Sequence, residues 1–530
     1  MGRGADAHRQ RGAALLLLLA LSGVLAVVVV LNLLSAGAPS AQERERVTQE
    51  ALGRAKQALI AYVVSELDRN PSLAPGLLPC PARTSLSVDN DEGYAVLGDC
   101  GIQDESQVGR LPWKTLDVEP LQDGYGECLW YAVSGNFKRG NTAGGKLVNW
   151  DTTGQLEVLG EGGSGLLAGA TAETRAAAVV IAPGPSLQQS RAPAAHTPNC
   201  PGNHDPAQYL EAISSLGADN TLATPPSTPP AGTLSGGLSR LINGYTDPAT
   251  GRSLVNDRLI VVTPKEIFDA IEKRRALVGP PEPVGTEPTT LLRRLTKRVA
   301  QCLAEFPYDR LPDESVRKDR RLPWAAGLAP ANYALDVSYA EVNELPTGRV
   351  PAYLGVSAAL PPAPPPTYVA LDPRYLELHC SHWPEIRHWF QHWKDHLFYA
   401  VSADFDQRSG SPSDTLCAGS CLTVDGQPTP YPAVVMFAGR PLPGQRRTLS
   451  SERNAPGNYL EGRNLLRALD PASGRDHESA SASASFNDVL YCIRFTSGTM
   501  WNDANGNKEV DAGEEAPSTR IPRVDLCLPP

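Results

Sequence analysis

Trp130-Tyr131-Ala132-Val133-Ser134, followed by Asn136-Phe137, recurs in the second half of the chain as Phe398-Tyr399-Ala400-Val401-Ser402, followed by Asp404-Phe405. Both runs are aromatic and β-branched, the composition of a strand. Three more blocks recur in the same order. Leu111-Pro112-Trp113 pairs with Leu322-Pro323-Trp324. AVVIAPGPSL from Ala178 pairs with AVVMFAGRPL from Ala433. Tyr209-Leu210-Glu211, then Asn256-Asp257-Arg258-Leu259, pairs with Tyr459-Leu460-Glu461, then Asn487-Asp488-Val489-Leu490. Each match is short, but the shared order points to an internal duplication. Solenoid periods are far shorter, so two related domains are expected.

Between the halves, Gly279-Pro280-Pro281-Glu282-Pro283 through Pro288 cannot hold a helix or a central strand. A linker at 279–290 therefore separates domains at 35–278 and 291–530. Each opens with a helical pattern. Val47, Ala51, Leu52, Ala55, Ala58, Leu59 and Tyr62 share one face, as do Leu291-Leu292, Leu295, Val299, Cys302-Leu303 and Phe306. Strands are expected at Leu129–Val133, Val179–Ala182, Leu259–Thr263, Val434–Phe437 and Val489–Phe495, and loops at Ala223–Gly237, Leu360–Thr367 and Ser479–Ser485. Helix first and sheet after is an α+β plan.

Ala13–Leu34, AALLLLLALSGVLAVVVVLNLL, carries no charge and is long enough to span a bilayer as a helix. Arg3, Arg9 and Arg11 precede it, which assigns residues 1–12 to the cytoplasm and the rest to the far side. A secretory apolar region is shorter, and a cut at the Ala36-x-Ala38 site would place Pro39 first. The expected fold class is α+β: an N-terminal transmembrane helix (13–34) continuing into an amphipathic helix, then two tandem related antiparallel-sheet domains bearing disulfides. The net charge of −10 over 530 residues argues against nucleic acid as a partner. All ten cysteines lie beyond the apolar run: Cys80, Cys100, Cys128, Cys200, Cys302, Cys380, Cys417, Cys421, Cys492 and Cys527. An even count on the exported side reads as disulfides. Connectivity stays open, with Cys80–Cys100 the best local pair. No second close Cys or His pair has zinc-ligand spacing.

Asp503, Asn505, Asn507, Glu509, Asp511 and Glu514 place oxygen ligands in the order of an EF-hand loop, with Lys508 where such a loop wants glycine. This reads as a structural calcium site, against the plainer reading of an Asx-rich turn. Asp89-Asn90-Asp91-Glu92 reads as a plain turn. His379, His382, His388, His392 and His396 cluster, the last three at helical spacing. Zinc or copper is one reading. The interleaved Trp389, Phe390 and Trp393 favour scaffolding, with tryptophans buried and histidines wet. No nucleophile elbow, phosphate loop or zinc-protease helix occurs, and Gly162-Gly163-Ser164-Gly165 reads as a flexible turn, so an enzyme is not expected.

Gln10-Arg11-Gly12 followed directly by the apolar run resembles the leader of prepilin-like proteins. Ala55-Lys56-Gln57-Ala58-Leu59-Ile60-Ala61-Tyr62, Leu78-Pro79-Cys80-Pro81, Cys100-Gly101, Gly109 to Leu116 and Leu129 to Ser134 resemble, as a set, the motifs of pseudopilin-like proteins. The resemblance to type IV pilins and type II secretion pseudopilins covers roughly the first 265 residues, and the rest through the duplication. It implies cleavage between Gly12 and Ala13 by a prepilin peptidase, a single membrane span, assembly with other pilin-like subunits, and a bacterial inner-membrane location with the bulk of the chain periplasmic. Leu17 stands at the fifth mature position, where most pilins carry glutamate, and this departure with the bulky double head suits a minor or tip subunit. The alternative is a non-polymerising anchored periplasmic binding or adhesion protein.

Overall fold

A computed structural model describes residues 21–25, 40–69, 75–83, 92–98, 100–101, 105–139, 147–187, 191, 199–200, 202–228, 237–274, 277–283, 286–309, 322–353, 376–377, 380–406, 420–495 and 522–527. The membrane expectation is corrected. Among the described residues no helix is long and apolar enough to cross a membrane. Only residues 21–25 of the apolar run are described. The amphipathic helix does not continue an earlier one but starts afresh. Helix α1 (Ala41–Arg69) is capped by Ser40, whose Oγ accepts the Glu43 N–H at 3.1 Å, and its first turns carry Glu43, Arg44, Glu45 and Arg46. A serine cap followed by charged residues is a helix-start signal.

α1 lays Ala51, Leu52, Ala55, Leu59, Tyr62 and Val63 against the first sheet. That sheet contains β1 (Gln107–Arg110), β2 (Trp130–Val133), β3 (Ala178–Ala182) and β4 (Arg258–Val262), all antiparallel and adjacent in chain order. Helix α2 (Pro264–Arg274) follows β4 and packs beside α1. The second half repeats the plan. Helix α3 (Leu291–Asp309) covers a sheet of β5 (Thr347–Arg349), β6 (Leu397–Val401), β7 (Ala433–Phe437), β8 (Val489–Phe495) and β9 (Pro522–Leu526), again antiparallel and in chain order. All five expected strands are present. They read as continuous apolar runs because both faces are covered. Tyr131, Val133, Ala178 and Val180 face the helical side, while Trp130, Ala132, Val179 and Ile181 face an outer layer.

One further expectation is corrected. The sheets are not wholly antiparallel: Leu156–Leu159 pairs in parallel with Ser239–Ile242, and Thr423–Val424 with Asp476–His477. These small sheets cover the outer faces. The two related halves also share one continuous cluster of buried side chains, running from Ala51 of α1 through Leu295 of α3 to Val524 of β9. The proline-rich stretch is part of this packing: Glu282 accepts the Tyr491 hydroxyl and lies 3.8 Å from Arg293.

The structure re-registers one repeat. In the first half the Leu78 N–H donates to Phe137 O at 2.7 Å, and the Ala82 N–H to Arg110 O at 2.9 Å. In the second the Leu322 N–H donates to Phe405 O at 2.7 Å, and the Ala326 N–H to Arg349 O at 2.9 Å. Leu322-Pro323 is therefore the counterpart of Leu78-Pro79, not of Leu111-Pro112, and Gly348-Arg349 the counterpart of Gly109-Arg110. Both glycines let this crossing segment pass close. A Cβ on Gly109 would lie 2.8 Å from Pro81 Cβ, and one on Gly348 would lie 2.1 Å from Ala326 O.

Cys80–Cys100, Cys128–Cys200, Cys302–Cys380 and Cys492–Cys527 are bonded, the first being the expected local pair. Cys421 is also disulfide-bonded, and Cys417 lies outside the described residues.

Candidate functional site

Among the described residues, a dense buried group of ionisable side chains lies where the halves meet. A tight turn at Asn149–Thr152 builds it: the Asn149 side chain accepts the Asp151 N–H at 3.0 Å, and the Asn149 N–H donates to Thr152 Oγ1 at 2.9 Å. This Asx geometry holds Trp150 and Asp151 out from the first half into the second. The receiving surface is helix α4 (Trp383–Trp393) and the 3-10 turn Lys394–His396 that delivers the chain into β6. Asn149 Nδ2 donates to the His392 carbonyl at 2.8 Å and to Asp395 Oδ1 at 2.9 Å. The Trp150 ring meets Trp393 edge-on, with centroids 4.7 Å apart.

Asp151, Asp395 and His396 are buried with ligand-type atoms within 4.8 Å of one another. His396 Nε2 lies 3.1 Å from Asp151 Oδ2, and its Nδ1 2.9 Å from the Ala438 carbonyl oxygen. A carboxylate–imidazole pair can orient a base or hold a metal. Two arginines also stand against these carboxylates. Arg453 Nη1 donates to Asp395 Oδ2 at 2.7 Å, its Nη2 to the Asp151 carbonyl at 3.0 Å, and Arg447 Nη1 lies 3.7 Å from Asp151 Oδ2. Burial alone would raise the Asp151 pKa, but Arg447, His396 and Arg453 outweigh it and hold the carboxylate well below its usual range. A metal ion would meet two guanidinium groups on the carboxylates it needs. The group is an ion-pair network, sealed from solvent.

Arg349 extends it. Its guanidinium donates to the carbonyls of Leu328, Asp395 and Arg453 and lies 4.7 Å from both the Phe398 and Tyr459 rings. Its counterpart Arg110 donates to the Cys128 and Asn203 carbonyls and lies 4.6 Å from Trp130 and 4.3 Å from Tyr209. An arginine between two aromatic faces is thus part of the duplicated plan.

The histidine expectation is corrected in part. His388, His392 and His396 do not share one wet helix face, because α4 ends at Trp393 and His396 falls in the 3-10 turn. His392 and His396 are buried with Trp389 and Trp393, while His388 is partly exposed beside Arg387. His382 lies 3.9 Å from Glu305, and His379 is outside the described residues. Glu92 is more than a plain turn residue: buried, it accepts the Cys200 N–H at 2.7 Å and Asn199 Nδ2 at 3.0 Å, beside the Cys128–Cys200 bridge. Gly12, Ala13 and the loop residues Asp503, Asn505, Asn507, Glu509, Asp511 and Glu514 lie outside the described residues. The loop spans the connection between β8 and β9. Asn149, Asp151, Asp395, Arg447 and Arg453 escaped the sequence reading, since nothing local marks residues whose partners are hundreds of positions away.

No family model, curated protein or solved structure matches the chain.

Proposed function

We propose that the chain is a pilin-like structural subunit, a minor or tip component of a type IV pilus or type II secretion pseudopilus, and not an enzyme. The observation that carries this reading is the sealed junction: the histidine–carboxylate pair with catalytic form is neutralised by Arg447 and Arg453 and spent on joining the halves. A long helix laid on an antiparallel sheet, twice over, with disulfides in both halves, also suits an exported head. The bulk of the chain would then face the periplasm at the bacterial inner membrane. Its partners would be other pilin-like subunits and the prepilin peptidase that cuts between Gly12 and Ala13. The loop Asp503–Glu514 would hold one calcium ion and fix the connection into β9.

A second reading, a non-polymerising periplasmic binding protein, is favoured by one open groove of about 620 Å³. Its walls include Glu45 of α1, Tyr125, Glu161, Tyr245 and Arg258. The test is the N-terminal residue of protein purified from cells, read by mass spectrometry. A start at Ala13 supports the subunit; an intact Met1 or Gly2 removes it and leaves the binding protein.

A further inference from the structure

The Tyr-Leu-Glu…Asn-Asp block is repeated bond for bond. In each half a 3-10 turn opening on proline, Pro206–Gln208 and Pro456–Asn458, presents the Tyr-Leu-Glu segment. The Leu210 N–H donates to Pro206 O, and the Leu460 N–H to Pro456 O, both at 2.8 Å. The Glu211 N–H donates to Asp257 Oδ2 at 3.2 Å, as the Glu461 N–H does to Asp488 Oδ2 at 3.2 Å. In return the Asn256 N–H donates to Glu211 Oε2 at 3.2 Å, and the Asn487 N–H to Glu461 Oε2 at 3.0 Å. An asparagine amide completes each set: Asn220 Nδ2 to Asp257 Oδ2 at 2.7 Å, and Asn464 Nδ2 to Asp488 Oδ2 at 2.9 Å. The other oxygen, Oδ1 of Asp257 and of Asp488, is buried and receives no N–H, while the glutamate carboxyl faces each aspartate.

Two carboxylates in contact and out of water cannot both stay ionised. We propose that Glu211–Asp257 and Glu461–Asp488 are proton-binding pairs, one per half, in which a single shared proton ties the Tyr-Leu-Glu turn to the start of β4 or β8. A calcium ion fits less well, because it needs six to eight oxygens and most of the carboxyl oxygens already accept N–H groups.

Burial first, and the facing glutamate second, raise Asp257 and Asp488 well above the usual carboxylate range. The surrounding charges are otherwise engaged. Near the first pair, Arg258 of β4 binds Glu161 and lies 3.7 Å from Glu45 of α1. Near the second, Gln445 Nε2 donates to Glu461 Oε1 at 2.8 Å and is itself held by Arg447; Arg440 gives its carbonyl to Asn487 and its guanidinium to Asp269; and the Glu478 carbonyl accepts Asn464 Nδ2. The sign follows from the raised values. The folded head keeps a proton that the unfolded chain releases, so this stability is present in acid and lost as pH rises through the folded-state value. Within that window each pair raises the unfolding constant about tenfold per pH unit.

The test compares the full chain with Glu211→Gln, Glu461→Gln and the double variant, since glutamine can donate an amide hydrogen in place of the proton. Denaturant unfolding across mildly acid to alkaline pH should show a component of wild-type stability that falls with pH, about half of that component in each single variant, and none of it in the double, the opposite contribution of His477 remaining in all four proteins. Infrared difference spectra of the folded proteins, which need no reversible unfolding, should lose one protonated-carboxyl band per substitution. If a variant fails to fold, calorimetric proton release by wild type on unfolding, followed across pH, replaces it, with release rising toward two protons between the unfolded carboxylate value and the folded-state value. An unchanged slope and unchanged bands, or no proton release, overturn the proposal. So does a stabilisation by added calcium that the glutamine variants lose, which would assign the pairs to a cation.

Discussion

The two halves are built on one plan and end differently. Each lays a helix on an antiparallel sheet in chain order, stacks an arginine between two aromatic rings, and pairs a buried glutamate with a buried aspartate. The first half then projects Trp150 and Asp151 outward, and the second receives them with Asp395, His396, Arg447 and Arg453. The first half keeps Arg110 at its own outer layer, whereas Arg349 reaches the junction through the Asp395 and Arg453 carbonyls. Shared parts thus hold each sheet together, and unshared parts hold the sheets to each other. Duplication supplies the former; an asymmetric interface needs the latter, because the donor and receiver of a buried charge cannot be the same surface.

The sharpest challenge to that division is to break the junction alone. Arg453→Met leaves Asp395 buried without its partner and should cost about 3–5 kcal/mol. Denaturant unfolding followed by tryptophan fluorescence should show one transition at lower denaturant. Two separated transitions would mean that the halves are energetically independent. Next, Arg349→Lys should cost more than Arg110→Lys, about 2–3 against about 1–2 kcal/mol, because lysine cannot serve three carbonyls in a planar fork; equal losses in thermal or chemical unfolding would erase the distinction between the two arginines.

pH separates the halves in another way. His477 is buried in the second half, and burial, reinforced by Arg467, lowers it to about 4. It is neutral in the fold, while the unfolded chain takes up its proton below the usual histidine value of about 6.5. Its contribution is present above that value and lost as pH falls toward 4. His477→Gln should flatten the stability profile across this range, and an unchanged profile would exclude His477 as the acid-sensitive group. Calcium removal should act only on the second half: a chelator, or Asp503→Ala, should speed hydrogen exchange in β9 and leave β1 unchanged. Equal exchange with and without calcium would leave the loop as an Asx-rich turn. The smallest effect is expected from Arg298→Ala, whose partners Glu385 and Glu287 are 40% and 60% exposed, at about 0.5 kcal/mol in the same unfolding assay.

The sequence by itself determined the repeated plan. Strand positions were legible because Trp130–Val133 and Phe398–Val401 are apolar without interruption, and both amphipathic helices because their apolar residues recur at helical spacing. Cys80–Cys100 was legible because the two lie close in the chain. The Leu-Pro-Trp match misled, since identical letters at 111–113 and 322–324 outweighed the weaker but structurally true pairing of 322–323 with 78–79. The apolar run at 13–34 led to a continuous membrane and amphipathic helix, where the structure starts α1 at Ala41, after the Ser40 cap. The junction was decided by tertiary structure alone. Local propensity and periodicity act over a few residues, while Asp151 finds Arg453 across 302 positions of chain. A buried contact of that kind is set by which surfaces meet, and its residues look like ordinary surface charges until they do.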